Sequence, residues 1–422
     1  MNMPQIAGRL REQMEGFLGN VRVGKTARRF CLEALYGIIS RGSVRLSEIA
    51  RSLEEEIPLI KTENRLSRQA QRQGLWRVLT DYAIARAAPR VGRDTLLVVD
   101  PSDLTKKYGR KMEYLAQVRD GSEKKLAEGY WLCQIVAVEC GGQEITPLVN
   151  HLWSQEAPEF RSENDEILGC MDRVRKHLGA GLGIWVMDRG GDRGTLIRPW
   201  LERGERFVVR LLGNRHLLYR GRAILAYELA RDCPMKYIEH ITRIGEDGRE
   251  RILELSFGMR EVRFPGFEDR ALFLVVLRGF GEEPLMILTT EPLRASRQSL
   301  WRVVEIYLTR WRIEDTLRYA KQSYALEDVR VLGYESLRNM MALALLAMSF
   351  TMAWLGAKTK LAVLCHHALK AGKRLWGIPD FLYYTLADGL REILSKSTRR
   401  PFPRPIVTAP SAQLELFQNL GP

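Results

Sequence analysis

The chain has 422 residues, 45% of them hydrophobic and 27% charged, with 65 Lys and Arg against 51 Asp and Glu and a net charge of +14. That length sets an expectation of two or three domains, and the apolar share is that of a globular protein rather than a disordered one. The isoelectric point near 9.6 points to a polyanionic partner, either nucleic acid or an anionic membrane surface.

Residues 1–90 hold 16 Lys and Arg against 9 Asp and Glu. The opening MNMPQIAGRLREQMEG has no apolar core, so no secretory signal is expected. Six scattered cysteines without a CxxC pair fit a reduced, cytoplasmic, nucleoid-associated chain. The segment reads as helical. An amphipathic run over 25–39 is followed by a turn at Arg41-Gly42. A short helix comes next, with Ser47 placed to cap it, and then one basic helix over 61–79. Arg65, Arg68 and Arg72 recur at helical spacing along one face of that last helix. Short helix, tight turn and basic helix resemble a DNA-reading helix-turn-helix; a plain bundle with a solvated basic face has the same pattern.

From Asp94 the texture alternates between strand and helix. TLLVVD (95–100), YWLCQIVAVE (130–139), EITPLVNHLW (144–153), GIWVMD (183–188) and RFVVRLL (206–212) read as strands, with a hairpin signal at Gly141-Gly142 and helices over 162–177 and 193–203. A mixed sheet covered by helices is the expected core. Residues 213–295 become strand-like and turn-rich, as a β insertion; 296–395 return to helix; 396–422 have the Pro- and Ser-rich composition of a disordered tether. Met340 to Ala357 carries no charge over 18 residues. Its alanines, methionines, Ser349 and Thr351 favour a buried core helix over a membrane span.

Two strands are read as ending in an acid after four apolar residues, at Asp100 and Asp188. Such a carboxylate either caps the next turn or binds a cation, since burying it otherwise is costly. Asp103 and Asp192 lie near enough to be rival ligands. Adjacent strands deliver their carboxyl-end side chains to one rim, and oxygen-rich open sites suit Mg²⁺ or Mn²⁺. The stretch YLTRWRIEDTLRYAK (307–321), read as one helix, sets Glu314 four residues after Arg310 with Lys321 two turns further along the same side. A metal-binding acid between cations fits a scissile phosphate.

Tyr307, Arg310, Glu314 and Lys321 in this spacing resemble the signature of a bacterial insertion-sequence group of DDE transposases. The resemblance runs from VVDPSD (98–103) through WVMDRGGDRG (185–194) to the helices after Lys321. It implies a ribonuclease-H-like α/β fold with a β-rich insertion, a helical N-terminal DNA-binding domain and a helical C-terminal region. It further implies that Asp100, Asp188 and Glu314 ligate a pair of Mg²⁺ or Mn²⁺ ions, and that Tyr307, Arg310 and Lys321 contact the DNA backbone at the transposon end. Assembly on DNA would be at least dimeric. Trp311 offers a face on which a displaced base could stack, or an ordinary core contact. Some members of the group use a tryptophan in the β insertion, and this chain has none between Trp200 and Trp301. The tail sequence QLELF, with Gln413, Leu414, Leu416 and Phe417, resembles the peptide by which bacterial replication proteins dock on the sliding clamp. The implied activity is metal-dependent cleavage at transposon ends and joining to target DNA. A catalytically idle DNA-binding descendant and a nuclease that cuts without joining are the alternatives.

Overall fold

The structure, a computed structural model, describes residues 3–106, 109, 111–121, 125–244, 250–355, 366–368, 370, 382–396 and 401–402. The clamp-like peptide at 413–417 lies outside them. Five helices open the chain: α1 (Met3–Phe17), α2 (Lys25–Arg41), α3 (Leu46–Ser52), α4 (Leu59–Ala70) and α5 (Leu75–Ala87). Gly42 takes up the left-handed conformation, φ 61°, that closes the turn after Arg41. Two local expectations fail here. Helix α3 starts at Leu46 with Arg45 at its N-cap, so Ser47 lies inside the helix. The basic stretch over 61–79 is two helices, not one. A distant side chain latches the break: Asn339 Nδ2 donates to the carbonyls of Ala70 (2.7 Å) and Arg72 (2.8 Å), and its Oδ1 accepts from the Trp76 amide (2.7 Å).

The sheet begins with β1 (Leu96–Thr105), β2 (Ala116–Arg119), β3 (Leu126–Val138), β4 (Ile145–Trp153), β5 (Ile184–Met187) and β6 (Phe207–Arg210). Its central order is β4-β3-β1-β5-β6. Strand β3 runs antiparallel to β4 and β1, while β1, β5 and β6 are mutually parallel. Helices α6 (Glu163–Leu178) and α7 (Gly194–Glu202) make the parallel crossovers. The β-rich stretch contains β7 (His216–Tyr219), β8 (Arg222–Leu225), α8 (Ala226–Arg231), β9 (Tyr237–Ile244), β10 (Glu250–Phe264), β11 (Phe267–Arg278) and β12 (Leu285–Thr289). It extends the core sheet rather than standing apart, because β12 pairs antiparallel with β6 and, among the described residues, brings twelve strands into one sheet.

Period-two alternation sorts the strand residues onto two faces. Leu96, Val98, Ile184, Val186 and Val208 pack toward the N-terminal helices, α9 (Arg297–Thr309), α10 (Arg312–Ser323), α11 (Tyr334–Met348) and α12 (Tyr383–Ser395). Leu97, Val99, Trp185, Met187, Phe207 and Val209 pack toward α6 and α7 on the other side. The protein is therefore a mixed α/β structure whose large mixed sheet is flanked by helices. The long apolar run from Tyr334 to Trp354 is a central member of the first layer, with 94% of its most apolar window buried inside the protein.

Candidate functional site

The alternation that builds the core also aims the acids. Asp100 and Asp188 each lie two residues past the last parallel pair, Val98–Val186. Both continue the even-numbered face that α9 and α10 cover. Asp188 does stand at the end of its strand. Its Oδ1 accepts from the Gly190 amide at 2.7 Å, which fixes the carboxylate at the start of a tight turn. That turn needs Gly191, where a Cβ would come within 2.7 Å of both Met187 and Val209. Asp100 differs from the expectation: β1 runs on to Thr105 along β3, so Asp100 is at the end of the parallel pairing but inside its own strand. Among the described residues it has no hydrogen-bond donor and no ion-pair partner. Burial and the charge of Asp188 push its carboxyl up to about 7; Arg310 pulls the other way and Glu314 pushes further up.

The signature stretch is not one helix. It breaks at Arg310-Trp311 between α9 and α10, where the amides of Arg310, Trp311, Ile313 and Glu314 bond three residues back instead of four. Thr309 anchors the end of α9 by accepting from the Gly141 amide of the β3–β4 hairpin at 3.0 Å. Glu314 then falls in the first turn of α10, half exposed, with Arg310 Nη2 on its Oε1 at 2.8 Å. Arg310 is buried, its Nε has no hydrogen-bond partner among the described residues, and its guanidinium carbon lies 5.7 Å from the Tyr307 ring. Burial works against the charge of Arg310; Tyr307, Glu314 and Asp100 restore it and hold its proton more tightly.

The other expected residues divide clearly. Tyr307 is in the core, 2% exposed, beneath Arg310 rather than on the surface. Trp311 is 40% exposed and meets Phe280 edge-on at 6.2 Å. Lys321 sits 2.8 Å from Glu327 and 3.8 Å from Asp103. Asp103, expected as a rival metal ligand, serves that lysine and accepts from the Gly121 amide at 3.1 Å. Asp192, the other rival, is spent on Arg215 and on the Leu212 amide. Arg65 is not a free DNA contact: it bonds Glu33 at 2.6 Å and Glu55 at 3.1 Å. The side chains of Arg68 and Arg72 are exposed, and among the described residues their hydrogen bonds are local, to Asn64 and Gln69.

A further cation shares the rim without belonging to any motif. Arg210 lies one residue beyond the last β5–β6 pair, Met187–Val209, level with Asp188 and on the same face by alternation. Counting in twos from Val208 would have found it.

Among the described residues no three His, Cys, Asp or Glu side chains stand close enough to chelate one ion. The rim places Asp100, Asp188 and Glu314 within reach of one another's fields, with Glu314 turned onto Arg310. The donor set nevertheless fits a hard divalent cation: all-oxygen, with one acid lacking any donor and destabilised by its like-charged neighbours.

The chain belongs to the transposase DDE domain family, whose model matches residues 97–350. That match runs from the second residue of β1 to just past the end of α11, and so contains all three acids. Among solved structures the chain is similar to a piggyBac transposase synaptic complex with hairpin DNA, determined by cryo-electron microscopy, at 10% identity over 99% of this chain and 83% of that one, with a TM-score of 0.43.

Proposed function

We propose that this chain is a transposase of the bacterial insertion-sequence group bearing the Tyr-Arg-Glu-Lys signature, cutting DNA at transposon ends and joining the freed ends to target DNA. The observation that carries the reading is Asp100, an acid without a donor, set level with Asp188 at one rim beneath the helix that bears Glu314. The strand order β4-β3-β1-β5-β6, antiparallel then parallel, supports a ribonuclease-H-like core.

Asp100, Asp188 and Glu314 would hold one or two Mg²⁺ or Mn²⁺ ions, which when bound acidify an attacking water or 3′ hydroxyl and stabilise the leaving oxygen. The chain's own groups do the rest. The Gly190 amide keeps Asp188 facing the rim. Arg310, held under α10 with an unpartnered Nε, can pass from Glu314 to a DNA phosphate, and Glu314 is then free to turn toward the aspartates. Lys321 and Arg210 add positive charge along the strand being cut, and the exposed Trp311 offers a stacking face. Cleavage and joining are both in-line phosphoryl transfers, so one set of carboxylates serves both. Pairing of two ends requires at least two copies, and the tail peptide would bring the protein to a sliding clamp.

The test is a cleavage and joining assay on DNA flanking the reading frame, with Mg²⁺ or Mn²⁺. Metal-dependent nicking at the ends and transfer into a plasmid, both lost in Glu314→Ala, are the expected results. Binding without any cutting would leave a DNA-binding protein; cutting without joining would leave a nuclease.

A further inference from the structure

Asp192 has a stronger claim to attention than its position in the WVMDRGGDRG motif suggests. It ends the turn that starts at Asp188. Its side chain is 1% exposed and spends both oxygens internally, Oδ2 on the Leu212 amide at 2.7 Å and Oδ1 on Arg215 Nε. Arg215 Nη2 also donates to the Asp192 carbonyl at 2.9 Å. A buried carboxylate is thus used to fix one guanidinium in place.

That guanidinium lies 5.5 Å from the ring of buried Phe264, and Arg198 from α7 lies 5.5 Å from the same ring. Arg198 is exposed and has no carboxylate partner among the described residues. Both arginines, with Asn214, His216, Phe264 and Pro265, line a cavity of about 330 Å³ that contains no acid. Two arginines converge over one aromatic face, one of them preset, around a space large enough for a phosphate and its sugar. Planar guanidinium groups recognise phosphate oxygens in pairs.

We propose that Arg198 and Arg215, with Asn214 and His216, form a second phosphate site that grips the DNA backbone near the cut. The position follows from the chain: Asp192 is four residues from Asp188, so the two Cα atoms are at most about 14 Å apart. Adding the reach of the Asp188 carboxylate at one end and of the Asp192–Arg215 pair at the other, the gripped phosphate lies within about one turn of duplex, roughly ten nucleotides, of the metal site. Asp192 is then a positioning residue, which joins this grip rigidly to the turn that presents Asp188.

The inference rests on the transposase reading, and its test separates the two. Binding of the full-length protein to an end-bearing duplex is measured by fluorescence anisotropy over a range of salt, without divalent metal, for wild type and Arg198→Ala. Arg198 is the clean variant, since Arg215→Ala would strand the buried Asp192; thermal melting confirms that the variant folds. A series of duplexes with one neutral methylphosphonate each is run in parallel. Arg198→Ala should weaken binding several-fold and lower the slope of log K against log salt by about 0.9. One methylphosphonate position should weaken wild type and have no further effect on Arg198→Ala. An unchanged slope, or methylphosphonate losses that all add to the Arg198→Ala loss, overturns the site. A wild-type protein that shows no preference for end-bearing over unrelated duplex overturns the transposase reading instead.

Discussion

Glu33 and Asp100 are both acids set against the core, one buried in the N-terminal helices and the other half-buried on β1. Glu33 is 1% exposed and receives Arg29 Nε and Arg65 Nη1, each at 2.6 Å. Glu55 closes the same network, taking Thr62 Oγ1 at 2.7 Å and Arg65 at 3.1 Å. Burial alone would raise the Glu55 carboxyl; Thr62 and Arg65 more than reverse it and hold it below the usual range. Asp100 has no such company. Its neighbours are two more acids, and the cation that acts on it, Arg310, is already bonded to Glu314. One cluster is complete without a ligand. The other is left short of positive charge, and that shortage is what marks a site.

Removing each acid should therefore have opposite consequences. Asp100→Asn should abolish metal-dependent cleavage, lowering the rate by orders of magnitude, while raising the melting temperature of the metal-free protein. Glu33→Ala should cost about 3–5 kcal/mol, the usual penalty for breaking a buried ion-pair cluster. Calorimetry on the two variants checks the contrast, and a destabilised Asp100→Asn would erase it.

The pH dependence sharpens the same point. With Asp100 held near 7 against an ordinary value of 3.8, the folded chain keeps a proton across that window which the unfolded chain has released. Its contribution to stability is complete below the ordinary carboxylate range and is lost as pH rises through 7. The metal-free protein should lose on the order of 3 kcal/mol between pH 4 and pH 8 through this group. Added Mg²⁺ should recover stability at pH 8 in wild type and not in Asp100→Asn. Urea titrations at the two pH values, with and without Mg²⁺, measure both.

The Glu33 network also divides the basic helix. Arg65→Ala removes a charged hydrogen bond to Glu33 and an ion pair with Glu55 and should cost about 2–3 kcal/mol of stability. Arg68→Ala and Arg72→Ala should change stability by no more than about 0.5 kcal/mol and weaken binding to duplex DNA of any sequence. If Arg65→Ala weakens DNA binding while leaving the melting temperature alone, the division is wrong.

These contrasts show what could and could not be read from the chain. Apolar runs ending in acids locate β5 and the Asp188 turn, because strand burial and strand end are both local. The continuation of β1 past Asp100 was hidden, since Pro101, Ser102 and Asp103 look like a turn, and only the pairing with β3 carries them on as strand. The break at Arg310-Trp311 leaves no trace in composition: both residues tolerate a helix, and the cause lies in packing, with Thr309 tied to the Gly141 hairpin. Arg65 reads as a member of a basic stripe because Glu33, its partner, lies 32 residues away. The β-rich stretch was legible as strands, whereas its fusion to β6 through β12 depends on pairing that spans some 80 residues.

The smallest expected effect lies between the two extremes, at Lys321. Its ammonium is neither fully matched like Arg65 nor short of partners: Asp103, largely buried, lies 3.8 Å away, while Glu327, 42% exposed, bonds it at 2.8 Å. Asp103 is fixed by the Gly121 amide and can serve as a permanent base for the lysine. Glu327 occupies the solvent side, where a backbone phosphate would arrive, so the two anions compete. Glu327→Gln should tighten DNA binding a few-fold, and the gain should shrink when Lys321 is already alanine. Asp328→Asn removes the same charge one residue away, from an aspartate that pairs with Arg45 instead. An equal gain from Asp328→Asn would mean that only net charge matters there, and a loss of affinity in Glu327→Gln would mean that Glu327 holds Lys321 ready rather than occupied.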